Sequence, residues 1–263
     1  MLRKLLKHET IATARIFLPI YLTVLLIATV TRFLTNIDTL SWKLPEAISM
    51  FVYILLLMAM FVITFIVMIQ RFYKNLLSDE GYLMFTLAVK PWKHIVSKLL
   101  ISMLWIVCSI AIAISSIIII TYYPGVFAEV GADLSLLVTQ IHQFLGASSY
   151  SFYVGIIANV ILSLAFGILL IYVSIAIGHL SDRHKALASF GAFIVLNTLT
   201  QILFGIIGGL FAFSNFPVAS GDASDVVNIF NSVFAIGLAF NGILSAAFFF
   251  ITNYILTKKL NLE

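Results

Sequence analysis

The sequence predicts an all-α integral membrane protein with six transmembrane helices and both termini in the cytoplasm. Three observations predict it: a composition too apolar for a soluble surface, six apolar runs of spanning length, and basic residues confined to one set of loops. Of 263 residues, 62% are apolar and 10% are charged, where an average soluble domain has roughly 45–50% and about 25%. Mean hydropathy is +1.13. A chain so poor in charge cannot cover a water-exposed surface, which excludes soluble enzymes, nucleic-acid binders and disordered proteins. The single cysteine, Cys108, sits in an apolar run and leaves no internal disulfide or cysteine metal cluster.

The spans are expected at about 16–34, 47–70, 99–121, 152–178, 186–213 and 228–256. Each is long enough to cross a hydrocarbon core of about 30 Å as a helix. Helices are required because lipid offers no partner to backbone polar groups, and the strict alternation of membrane strands is absent. Pro19 is placed in the first turn of the first span, where a missing N–H costs little. The stretch before it, residues 1–14, reads as an amphipathic interfacial helix, with Leu2, Leu5 and Leu6 on one face and Arg3, Lys4 and Lys7 opposite. The basic start and apolar run share features with a secretory signal, but the run is too long and no cleavage site follows, so the segment is read as retained.

Orientation follows from charge. Of 15 Lys and Arg, thirteen fall in the terminal and even-numbered regions and two, Arg32 and Lys43, in or beside the odd-numbered loops. The positive-inside rule then puts both termini in the cytoplasm. The net charge of +4 is explained by topology rather than by nucleic acid. The outer segment Tyr122 to Tyr153 has no Lys or Arg, and tyrosines flank it. Within it Leu134, Leu137, Val138, Ile141, Phe144 and Leu145 keep helical spacing behind Asp133 as N-cap. A surface helix is the simpler reading, a cap over a cavity the other.

The most informative stretch is the inner loop, residues 72–97. It contains FYKNLLSDEGYLMFTLAVKPWKHIVSKLL in its surroundings, with a Ser-Asp-Glu cluster before an apolar aromatic run from Tyr82 to Leu87. Two readings stand for that run: a docking surface for another protein, or a short helix lying flat in the headgroup layer.

This string resembles the first cytoplasmic loop of six-span permease subunits of bacterial ABC exporters of the Gram-positive type. Such subunits carry an acidic residue, Gly-Tyr-Leu, a Thr-Leu-Pro-Val-like run and then Ser-Lys. The present sequence has Asp79, Glu80, Gly81, Tyr82, Leu83, Thr86, Leu87, Val89, Ser97 and Lys98 in that order, with Ala88 where the group has Pro. The C-terminal TKKLNLE is also similar to that group. The resemblance implies a coupling helix between spans two and three, seated in a groove of a separate P-loop ATPase, with Glu80, Gly81, Tyr82, Leu83, Phe85 and Thr86 as the contact set. It further implies a multi-pass protein of the bacterial plasma membrane that dimerises with itself or a related chain. Export of an amphipathic or apolar cargo is expected, with toxin or antimicrobial peptides of the phenol-soluble-modulin kind as the preferred class. The chain would hold no cofactor. ATP and Mg would belong to the partner.

The remaining motifs agree with this reading. No G-x-x-x-x-G-K-[ST] occurs in the sequence, so no P-loop is encoded and the chain is read as a transport subunit rather than an enzyme. His179, Asp182 and His184 sit close together in sequence, but Arg183 and Lys185 among them argue against a bound cation. The alternatives are an ion-coupled secondary transporter and a non-transporting structural membrane protein. A carrier would place ionisable residues at mid-span, whereas Glu46, Arg32 and Lys98 are read as lying near span ends. Mid-span polarity consists of Asn159, Asn197, Gln201, Asn231 and Asn241, which either line a cavity or hydrogen-bond between helices, the second being the commoner use. Small-residue pairs, Gly205 with Gly209, Ser163 with Gly167, Ser174 with Gly178, Ala235 with Ala239 and Gly242 with Ala246, permit close helix approach.

Overall fold

The computed structural model describes residues 2–36, 44–77, 91–146, 149–181, 183–215 and 223–258. These form α1 (Leu2–Thr35), α2 (Leu44–Leu77), α3 (Pro91–Thr121), α4 (Val126–Leu145), α5 (Ser149–Gly178), α6 (Lys185–Asn215) and α7 (Ala223–Lys258), with no strand among the described residues. All but α4 are long and apolar enough to cross a membrane, six in total. The chain is thus an all-helical, multi-pass membrane protein. Its exposed surface has the matching chemistry: Leu22, Phe51, Met58, Leu187 and Phe213 are each more than three-fifths exposed, which lipid tolerates and water does not.

Every predicted span lies inside one of the six helices, but the helices run further. Residues 1–14, expected as a separate interfacial helix, are helical from Leu2 and continue into the first span without a break. Arg3, Lys4 and Lys7 are exposed while Leu5 and Leu6 are half-buried, so the amphipathic division is present within a longer rod. One consequence corrects the reading of Pro19. It lies well inside α1 rather than in a first turn, so the carbonyl four residues before it lacks its usual partner. Residues 72–77 and 91–97, read as parts of the inner loop, extend α2 and α3. Pro91 is the first residue of α3, where its fixed φ suits a helix start. Asp133 is also corrected: α4 begins at Val126, so Asp133 is inside the helix and caps nothing. The start of α4 is set instead by a turn in which the Val126 N–H donates to the Tyr123 carbonyl at 3.1 Å, with Pro124 in the position that turns favour. Gly146 closes α4 with φ +53°, the left-handed conformation that ends many helices.

The chain divides into two compact units, residues 1–126 and 127–263. In the first, α1, α2 and α3 pack against one another. The seam of α1 is Phe17, Tyr21, Val24 and Ala28, a repeat of four and three that keeps one face turned to its neighbours. Trp105 and Ala113 of α3 and Tyr53, Met60 and Val67 of α2 complete this core. In the second unit α5 is the hub, packed against both α6 and α7. Phe152 meets Phe234 edge-on with centroids 5.4 Å apart, and Phe166 stacks on Phe248 at 5.7 Å.

The small-residue pairs divide into used and unused. A methyl group at Gly178 would collide with the backbone and side chain of Ser189, so here α5 and α6 touch closely. Gly167, Gly205, Gly209 and Gly242 have no such neighbour among the described residues. We therefore expect Gly178→Ala to lower stability by about 1–3 kcal/mol, the usual cost of overpacking. Gly205→Ala should leave it within about 0.5 kcal/mol. Thermal denaturation of the two variants in detergent checks both.

Candidate functional site

In the first unit α1, α2 and α3 each bring one charged side chain to a common point. Glu9 and Lys98 are each the eighth residue of their helix, while Arg71 lies six residues before the end of α2. The Lys98 ammonium donates to Glu9 Oε1 at 2.6 Å, and Arg71 Nη1 lies 3.8 Å from Glu9 Oε2. The side chains of Lys98 and Glu9 are only 2% and 11% exposed. Burial this deep is tolerable for ions only when they are paired.

Hydroxyl and aromatic groups join the stretch of α1 that carries Glu9 to α3. Thr13, one turn after Glu9, donates its hydroxyl to the Glu9 carbonyl at 2.7 Å and accepts the Trp105 indole N–H at 2.7 Å. Phe17, a further turn along, stacks on Trp105 with centroids 4.5 Å apart and planes 16° from parallel. Between these groups, Lys98, Arg71 and Ser102 lies a cavity of about 20 Å³, room for about one water.

The polar line continues along α3. Ser102, Ser109 and Ser116 are each separated by seven residues and all are buried. Ser109 shares a hydrogen bond with the Tyr21 hydroxyl at 2.8 Å and another with Thr64 at 3.1 Å. Ser116 shares one with the Tyr53 hydroxyl at 2.8 Å. In hydrocarbon these contacts act as polar links between helices whose apolar surfaces have no other preference for each other.

The residues expected from sequence are distributed differently. Glu80, Gly81, Tyr82, Leu83, Phe85 and Thr86 lie outside the described residues. Asn159 is half-buried on α5 and donates Nδ2 to the carbonyls of Gly155 at 3.1 Å and Phe234 at 3.2 Å, joining α5 to α7. Asn197 is half-buried and Gln201 exposed on α6, while Asn231 and Asn241 are half-buried on α7. Lys98, expected near a span end, is the eighth residue of α3, where it is deeply buried and ion-paired. Glu9, Thr13, Arg71 and Trp105 were not singled out by sequence. A signal was present: Glu9, Thr13 and Phe17 repeat every four residues, and Lys98, Ser102, Trp105 and Ser109 alternate fours and threes, each marking one helix face.

Among the described residues no three His, Cys, Asp or Glu gather as a metal site, and Asp182 lies outside them. His179, in the short link after α5, is half-buried, and burial lowers its pKa from 6.5, with Lys185 adding repulsion. Comparison with known families, with curated proteins and with solved structures gives no match.

Two predictions follow from this geometry. Glu9→Gln or Lys98→Met removes one side of a buried ion pair and should cost roughly 3–5 kcal/mol. The double variant Glu9→Leu/Lys98→Met should lie closer to the parent than either single change. Titration of the purified protein with dodecyl sulfate tests this order. His179 binds its proton less readily folded than unfolded, so its contribution to stability is present above the unfolded value of 6.5 and is lost as pH falls below it. The thermal midpoint should therefore drop between about pH 7.5 and about pH 5.5, and His179→Gln should flatten that dependence.

Proposed function

We propose that the chain is the permease subunit of an ATP-driven ABC exporter in a bacterial plasma membrane, with its termini in the cytoplasm. ATP and Mg would be handled by a separate P-loop ATPase, and a second copy or a related chain would complete the translocation path. The observation that carries this reading is the position of the Glu9–Lys98–Arg71 cluster. It ties the end of α2 and the start of α3, the two helices that flank residues 78–90, to the start of α1. A coupling helix within 78–90, offering Glu80, Gly81, Tyr82, Leu83, Phe85 and Thr86 to the ATPase, would then push on three helices at once. Export by alternating exposure needs such a transmission into a two-state element. The apolar character of the spans favours an amphipathic or apolar cargo, with a toxin or antimicrobial peptide as the preferred class.

The buried Glu9–Lys98 pair also supports one rival, an ion-coupled carrier, because ionisable residues within spans are a mark of such carriers. Here the two charges face each other directly, and a Trp105–Thr13 hydrogen bond ties α3 to α1 beside them, which suits a brace better than a titrating relay.

The deciding experiment is a gentle detergent pull-down of the chain from its native membrane with mass spectrometry. A stoichiometric P-loop ATPase is expected, and Tyr82→Ala/Phe85→Ala should release it. Its reproducible absence, or a complex indifferent to the double variant, overturns the reading.

A further inference from the structure

Among the described helices, α4 takes no part in the pairings that build the two cores. Both of its ends are nonetheless fixed. At its start, the bond from the Val126 N–H to the Tyr123 carbonyl makes a tight turn directly after α3 ends at Thr121. At its other end, His142 Nδ1 shares a hydrogen bond with Ser149 Oγ at 2.8 Å, and the His142 ring lies beside those of Tyr150 and Tyr153, with centroids 6.1 and 5.9 Å away. Ser149 is the first residue of α5. The helices α3 and α5 are consecutive spans, because α4 is not among the six apolar enough to cross. Thr121 and Ser149 therefore emerge on the same membrane face. A helix of 20 residues is roughly 30 Å long. Held at the level of one face at both ends, α4 runs along the membrane surface. Tyr122 and Tyr123 stand before it and Tyr150 and Tyr153 after it, the residue type that sits at headgroup level.

The sequence of α4 divides into two faces. At about 100° per residue, Val130, Leu134, Leu137, Val138, Ile141 and Phe144 fall within about a third of the circumference, and no polar side chain enters that arc. Glu129, Asp133, Ser135, Thr139, Gln140 and Gln143 occupy the remainder, where Leu136 is the one large apolar side chain. On the arc, Val130, Leu134, Leu137, Val138 and Phe144 are each more than two-fifths exposed. A helix lying on a bilayer has one side toward lipid and one toward water, and these two faces match those two solvents. A protein arriving from the water would meet the carboxylates and amides, not the arc. The segment from Tyr122 to Tyr153 has no Lys or Arg, so attraction to anionic headgroups contributes nothing and apolar area carries the binding.

We propose that α4 is an interfacial helix, its apolar arc embedded in the headgroup–acyl boundary of the membrane face where α3 ends and α5 begins. It takes zwitterionic lipid as readily as anionic lipid. The cap over a cavity, the other sequence reading of this segment, would turn the same arc onto protein.

Spin labels separate these cases. In the full chain carrying Cys108→Ala, a nitroxide is attached singly to Leu134→Cys, Leu137→Cys or Ile141→Cys on the arc, and to Ser135→Cys, Thr139→Cys or Gln143→Cys opposite it. The protein is reconstituted in phosphatidylcholine vesicles. Collision of each label with oxygen, which concentrates in lipid, and with a water-soluble nickel chelate is read by electron paramagnetic resonance. Labels on the arc should be open to oxygen and lie about 5–10 Å below the phosphate level, while labels opposite should be open to the chelate. Adding phosphatidylglycerol should leave these depths unchanged. Arc labels open to the chelate overturn the proposal, because the helix then stands in water. Arc labels shielded from both reagents also overturn it, by assigning the arc to another segment of this chain or to a second copy. So does immersion that appears only with phosphatidylglycerol. Should one variant fail to fold, the other two on its face report the same depth.

Discussion

Inside a bilayer every polar group must find its partner within the protein, and the structure follows from that constraint. Backbone groups satisfy it by forming helices. Side-chain hydroxyls satisfy it locally by bonding back to the preceding turn. Thr29 reaches Leu25, Thr64 reaches Met60, Ser174 reaches Leu170 and Thr252 reaches Phe248, all between 2.6 and 2.9 Å. Groups that cannot be satisfied within one helix determine which helices meet. The carboxylate of Glu9 has no local solution and draws in α2 and α3. The carboxamide of Asn159 finds one partner in its own helix and the second in α7. In a solvent as apolar as leucine, these few polar contacts choose the neighbours, and the surrounding Phe, Ile and Val then pack around the choice.

The two units solve this problem differently. The first uses a row of hydroxyls and an ion pair, with an aromatic stack of Phe17 on Trp105 inside it. The second relies mainly on aromatic contacts between α5 and α7 and on the absence of a side chain at Gly178. The Glu9–Lys98 pair need not add net stability, because desolvation consumes most of its attraction. Its physical effect is specificity: any arrangement that parts the two strands a charge in a medium that cannot solvate it.

Much of the fold was legible because hydropathy and span length are collective properties. The six helices are visible in windows of twenty residues, and no single side chain decides them. The errors came where one residue decides. Pro19 reads as a helix start only if the helix starts there. The basic stretch before it has good helix formers, and nothing between Leu2 and Pro19 stops the helix. Asp133 reads as a cap by type, but the turn at Tyr123–Val126 starts α4 earlier. Lys98 does lie near the start of α3, but its place beside the apolar run cannot reveal that Glu9, eighty-nine positions earlier, faces it. Pairings across helices depend on rotation about each axis, and one sequence carries that information only weakly. The serine row shows what such information looks like, since seven-residue spacing of small hydroxyls in an apolar helix fixes a face.

That row also limits how α3 can travel. Ser109 and Ser116 meet different tyrosines, Tyr21 from α1 and Tyr53 from α2, at the same 2.8 Å. Sliding α3 along its axis by one turn would withdraw both hydroxyls together and set apolar side chains against the tyrosine oxygens. The next equivalent match is a full seven residues away, roughly 10 Å along the axis. There Lys98 would have left Glu9. The helix therefore sits in a detent, with one axial position and no graded series beside it.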